Sequence, residues 1–159
     1  MNLTLHADYS LRVLLYLSEH RDRPVSTQEI SGAYGISRNH LVRVVQTLQA
    51  HSFIQASVGR SGGLTLSRDP ADINIGQVVR KTEPNFRIVE CFEPGTNTCR
   101  IAPVCKLRGV LGEALKAFIQ VLDGYTLAEV AQMEGIAPLS NFLAIQKANT
   151  QPPIRVAAI

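Results

Sequence analysis

The stretch "ECFEPGTNTCRIAPVCK", residues 90–106, holds all three cysteines of the chain: Cys91, Cys99 and Cys105. Thiols so placed can be buried apolar side chains, a nucleophile, a disulfide or metal ligands. Buried cysteines sit on the apolar stripes of helices and strands. These lie among Pro94, Gly95, Asn97 and Pro103, a loop-forming composition. A nucleophile needs a base and an orienting partner, and no histidine lies near this stretch in sequence. Nothing therefore points to catalysis. Three cysteines cannot all pair within one chain. Ligation fits best, because thiolates select zinc, copper(I) or iron–sulfur clusters. Zinc sites usually take two sulfurs from one tight CxxC turn. Here seven and five residues separate the cysteines, gaps suited to wrapping an object larger than one ion, such as an iron–sulfur cluster. A fourth ligand is missing from the loop.

The elements that must position this loop can be read from periodicity and capping. Residues 9–20, "YSLRVLLYLSEH", form a helix apolar almost all round, fit for the centre of a small helical domain. Ser26 and Glu29 have the spacing of a capping box and start a second helix that stops at Gly35. Ser37 is a good N-cap for a third, in which Leu41, Val44, Val45 and Leu48 make one apolar stripe. The opposite side of that helix carries Arg38, Asn39, His40, Arg43 and Gln46. A capped helix, a glycine turn and a helix with a basic, amide-rich outer face is the helix-turn-helix pattern. Residues 53–66 read as two strands joined by the tip "GRSGG", whose one long cation, Arg60, suits a narrow minor groove. Residues 75–83 form a short helix. Residues 106–122 form a long one, with apolar side chains at 107, 110, 111, 114, 115, 118, 119 and 122. Little chain remains to cover that stripe, so the expected cover is a second copy of the helix. "YTLAEVAQ" gives a last short helix, and residues 134–159 lose periodicity and read as a weakly ordered tail.

The whole chain bounds these readings. Its 159 residues, 45% hydrophobic, are enough for one real core. No apolar run approaches a membrane span. The opening "MNLTLHADYS" has none of the parts of a signal peptide. The expected compartment is the cytoplasm, where thiols stay reduced. The net charge of +3 is mild, but no acidic residue lies between Glu29 and Asp69, a window containing Arg38, Arg43, Arg60 and Arg68. Such a surface meets an anion.

These segments together carry a resemblance. "LTLHADYSLRVLLYL", "YGISRNHLVRVVQTL", "VGRSGGLTL", the three-cysteine loop and "DGYTLAEV" are similar to the iron–sulfur winged-helix regulators, most closely their nitric-oxide-sensing repressors, over residues 1–132. The resemblance implies a mainly α fold: a winged helix-turn-helix over 1–84 with a small β-hairpin, a cluster loop over 85–105, and a dimerisation helix with a short following helix over 106–133. It implies a homodimer with a [4Fe–4S] cluster in each half, [2Fe–2S] being the alternative. Cys91, Cys99 and Cys105 would bind three irons, and Asp8 of the other subunit the fourth. The first cysteine gap is longer than is usual among those regulators. Relatives that use a histidine just after the third cysteine are not matched, since Lys106, Leu107 and Arg108 follow Cys105 here.

The implied function is a repressor that binds an inverted repeat of double-stranded DNA and releases it in response to nitric oxide. Asp8, an oxygen ligand on a sulfur-loving iron, would mark the reactive corner. Once freed it could pair with Arg12, one turn on. The candidate DNA-contacting residues are Ser26, Ser37, Arg38, Asn39, His40, Arg43 and Arg60. Three other readings stand beside this one: a general iron–sulfur or redox sensor controlling cluster assembly, a zinc- or thiol-based winged-helix regulator, and a winged helix that binds only protein.

Overall fold

The computed structural model describes residues 2–59, 62–93 and 95–132. Arg60 and the expected tail at 134–159 lie outside the described residues. Six α-helices and one antiparallel hairpin share a single apolar core.

Helix α1, Leu5–Glu19, is the centre of that core, with Ala7, Val13, Leu14, Tyr16 and Leu17 at most 2% exposed. It begins four residues earlier than periodicity predicts. The Thr4 hydroxyl caps it, accepting from the Ala7 N–H at 3.2 Å. The Glu83 carboxylate in turn accepts from the Thr4 N–H at 2.6 Å and its hydroxyl at 3.1 Å. Asp8 therefore does not open the helix. It lies inside the first turn, where a carboxylate meets the positive end of the helix dipole.

Helix α2, Thr27–Tyr34, starts at Ser26, whose hydroxyl accepts from the Glu29 N–H at 3.1 Å. Only half of the expected capping box forms. The Glu29 carboxylate turns instead to Arg23, at 2.6 and 3.0 Å, and to the Tyr16 hydroxyl at 2.9 Å. Gly35 ends α2 with φ +65°, a conformation that costs a side chain dearly and glycine little. Helix α3, Arg38–Ala50, follows from Ser37 and buries Leu41, Val44 and Leu48. Strands β1, Ile54–Ser57, and β2, Gly63–Leu66, pair with Ile54 opposite Leu66 and Ser57 opposite Gly63. Val25 adds one more rung to β2 through two hydrogen bonds with Leu64, at 2.8 and 3.0 Å.

Helix α4, Ile75–Thr82, is capped by Asn74; α5, Lys106–Asp123, and α6, Leu127–Ala131, are the last helices of the described residues. The end of α5 is fastened to the start of α4. Asn74 Nδ2 donates to the Asp123 carbonyl at 2.7 Å, Ile75 N–H to the Tyr125 carbonyl at 3.0 Å, and Arg80 forks onto the Asp123 carboxylate. Gly76 allows this approach, because a Cβ there would overlap the Asp123 carboxylate. Leu127, wholly buried, then returns the chain to the core against α1.

The predicted apolar stripe of α5 divides into two adjacent faces. Leu111, Leu115, Phe118, Ile119 and Leu122 are half-buried on the side of α4. Leu107, Val110 and Ala114 remain exposed, beside Ala117 and Val121, which lie outside the predicted stripe; the three larger ones are about 60% exposed. No residue of α5 is fully buried.

Candidate functional site

Two surfaces carry the residues singled out by sequence. The first is the outer face of α3 with the start of α2. Ser26, Ser37, Arg38, Asn39, His40 and Arg43 are all exposed, and none of the four residues at 38, 39, 40 and 43 is a member of an ion pair among the described residues. Ser26 and Ser37 have their hydroxyls turned to helix capping, with Ser37 accepting from the His40 N–H at 3.4 Å. The hairpin flanks this face. Its candidate Arg60 lies outside the described residues, but Val58 beside the tip is fully exposed and Gly59 has φ +123°. Sequence reading places Val58 in the first strand arm of the hairpin, whereas β1 stops at Ser57, and it passes over Val42, exposed at 44% amid the polar face of α3. The signal for Val42 was present: it is an apolar residue off the stripe set by Leu41, Val44 and Leu48.

The second surface is the cysteine loop. Cys91 lies within a 3-10 turn, Glu90–Phe92; a second such turn, Ala102–Val104, delivers Cys105 to the start of α5. All three thiols are free and half-exposed. The loop path is held by polar contacts beside Cys91 and Cys99. The Glu90 carboxylate accepts from the Thr98 N–H at 2.6 Å and the Thr98 hydroxyl at 2.7 Å, which ties the neighbours of Cys91 and Cys99 together. These bonds hold the Glu90 carboxyl below its usual range, the hydroxyl bond first and the N–H bond second. Asn97 Oδ1 accepts from the Cys99 N–H at 3.0 Å, and Arg87 pairs with Glu93 at 2.7 Å. The Cys105 side chain makes no capping bond to α5. The free N–H groups of that first turn are thus left beside the thiol for another acceptor. A groove of about 460 Å³, lined by Phe92, Ala102, Pro103, Cys105, Arg108 and Gly109, opens there.

Asp8 is paired within its own helix. Its carboxylate takes a two-pronged bond from Arg12, Nε at 3.0 Å and Nη2 at 2.7 Å. The Arg12 guanidinium sits 5.8 Å from the centre of the Tyr9 ring, and that ring lies 6.1 Å from His40 on α3. Tyr9 was not anticipated as part of the site. A second link runs from His6 Nε2 to Thr47 Oγ1 at 3.1 Å. The first turn of α1 is therefore connected to the outer helix at two points.

The donor set suits a thiolate-bound group. Three accessible sulfurs share one loop, and the last of them, Cys105, lines the groove with unclaimed N–H donors next to it. Among the described residues, no three His, Cys, Asp or Glu side chains are gathered closely enough for one metal ion. Among the described residues no helix is long and apolar enough to cross a membrane.

Comparison with known proteins follows the same lines. Residues 3–133 match the family Rrf2, described as "Iron-dependent Transcriptional regulator". The chain is 49% identical over 133 residues to the HTH-type transcriptional regulator NsrR of Bacillus subtilis (strain 168), a match covering 83% of this chain and 91% of that protein. It is 47% identical over 135 residues to NsrR of Halalkalibacterium halodurans, covering 84% and 92%. Among solved structures, T. potens IscR superposes with a TM-score of 0.68 at 22% identity, covering 89% of this chain and 96% of that one. CymR, the global cysteine regulator of B. subtilis, superposes with a TM-score of 0.65 at 22% identity, covering 82% and 96%. These neighbours share the winged-helix architecture seen here, and the relatives of known name are regulators, not enzymes. With residues 3–133 matched and identities of 40–49% over most of its length, the chain belongs to the Rrf2 family of transcriptional regulators.

Proposed function

We propose that this regulator is a DNA-binding repressor, that it acts as a homodimer, and that an iron–sulfur cluster held by its cysteine loop lets nitric oxide switch it off. The observation that carries the proposal is the pairing of an exposed basic helix with three free thiols on one loop of the same small fold. Similarity to proteins named NsrR supports it.

On this reading α3 of each subunit enters a major groove and the hairpin reaches the neighbouring minor groove, so the site is an inverted repeat. Arg38, Asn39, His40 and Arg43 meet bases or phosphates. Ser26 and Ser37, already used as caps, offer backbone N–H groups and hydroxyls to phosphates. The outward α5 face of Leu107, Val110, Ala114, Ala117 and Val121 packs against its twin, the small alanines allowing close approach of the two helices.

Cys91, Cys99 and Cys105 would hold a [4Fe–4S] cluster, or [2Fe–2S] in the alternative, with Asp8 of the second subunit as the remaining ligand; when bound, it supplies iron that reacts with nitric oxide. The Glu90–Thr98 contact ties together the loop segments next to the first two thiols. A released Asp8 carboxylate is taken up by Arg12, as seen here, and Arg12 leans on Tyr9, which borders His40. That chain of contacts gives the ligand a route to the DNA-reading helix.

The test is anaerobic purification with iron, sulfide and zinc counted per chain, then DNA binding during stepwise addition of nitric oxide. About four irons and four sulfides per chain, with colour and DNA binding lost together, is the expected result. A colourless zinc protein, or a cluster indifferent to nitric oxide, would move the signal to a thiol-based or general iron–sulfur sensor.

A further inference from the structure

Between residues 6 and 100, Val42 and Val58 are the only large apolar side chains exposed among the described residues. Val58 sits beside the wing tip. Val42 sits on α3, in the middle of the face that the fold leaves to solvent. The stripe of Leu41, Val44 and Leu48 fixes which way α3 is turned. At about 100° per residue, Asn39 and Gln46 point directly away from that stripe, and Val42 lies roughly 50° to one side of them. Arg38 is one turn before it and Gln46 one turn after. Val42 lies outside the apolar core cluster, with 44% of its surface open to solvent. Its neighbours are the side chains that hydrogen-bond base edges in a major groove: arginine to guanine, asparagine or glutamine to adenine. The one apolar feature a base pair presents in that groove is the C5-methyl of thymine.

We infer that Val42 is a specificity-determining residue that packs on a thymine methyl in each half of the operator. This rests on reading α3 as the major-groove helix. Arg38, Val42 and Gln46 are spaced by about 6 Å along the helix axis, so together they span roughly three to four base steps of about 3.4 Å. The thymine therefore falls about two base steps from the edge met by Arg38, once in each half-site.

Operator duplexes are first selected from random DNA with the full chain purified without exposure to oxygen. Each thymine is then replaced in turn, symmetrically in both half-sites, by uracil, which lacks only the methyl. Binding is measured by fluorescence anisotropy for the unmodified chain and for Val42→Ala. At one symmetric pair, uracil should weaken the unmodified chain about fifteenfold, since two methyl groups are lost at about fourfold each. Val42→Ala should bind the thymine duplex weaker by a similar factor and be indifferent to uracil at that pair, while remaining as sensitive as the unmodified chain to salt. If no uracil position affects the unmodified chain, or if Val42→Ala keeps the same sensitivity, the inference is overturned. If the unmodified chain selects no sequence at all, the DNA-reading role of α3 fails with it, an outcome distinct from either of those.

Discussion

The Glu29 carboxylate meets Arg23 and the Tyr16 hydroxyl at the junction of α1 and α2, and these partners fix its acidity. Arg23's hydrogen bonds, opposed by partial burial and helped by Tyr16, push its pKa down to about 2, while burial first and Glu29 second push Tyr16 up to about 12. A depressed folded-state pKa means stability that is complete above the unfolded carboxylate range and is lost as pH falls toward the folded value. Acid should therefore loosen the α1–α2 junction between about pH 4.5 and pH 2. Glu29→Gln should cost about 1–2 kcal/mol at neutral pH and flatten that acid limb, as read by thermal unfolding across pH. A second residue-scale prediction concerns the loop. Thr98→Val removes one of the two bonds that hold Glu90. In cluster-free protein it should raise the alkylation rates of Cys91 and Cys99 severalfold and leave Cys105 unchanged, as followed by mass spectrometry. Equal rates at all three thiols would show that the Glu90–Thr98 contact does not organise the loop.

Elements add a different kind of constraint, because a cap can serve two masters. Ser37 both starts α3 and lies on its exposed end. Ser37→Ala should cost about 1 kcal/mol of stability, and Ser37→Asp should retain it, since aspartate caps as well as serine. Ser37→Asp should nevertheless weaken DNA binding by bringing a negative charge to the phosphates. Anisotropy and calorimetry on the two variants separate the roles. On α5, Val110→Glu should shift the chain toward monomer in analytical ultracentrifugation while its helical circular dichroism persists. What sequence could and could not reveal follows from the range of the forces involved. Helices α2, α3, α5 and α6 were legible because their caps and apolar spacing are local. The start of α1 was not, because Thr4 is supported by Glu83, 79 residues away. The two faces of α5 were read as one, because only the position of α4 divides them. The cysteines announced their chemistry by type and spacing, but the loop path depends on Glu90 meeting Thr98, and no periodic signal marks such a contact. Tyr9 was missed for a similar reason: its place between Arg12 and His40 exists only once α1 and α3 are packed.

At the scale of the whole molecule, α6 is small but its anchor is not. Leu127 is wholly buried in the core that α1 organises, and its N–H donates to the Ile73 carbonyl at 2.8 Å. Leu127→Ala should cost about 2–5 kcal/mol, measurable by urea unfolding, although the residue lies far from both functional surfaces in sequence. Asn74, Ile75 and Arg80 hold the other end of the same junction against Asp123 and Tyr125. The segment from the end of α4 to the end of α5 is thus an excursion whose departure and return are clasped to one spot. A protease nick between Gly95 and Asn97, in the solvent-facing part of the cysteine loop, would sever the backbone without parting the molecule. The two fragments should copurify and unfold as a unit, making the loop a natural place to split this protein into complementing halves.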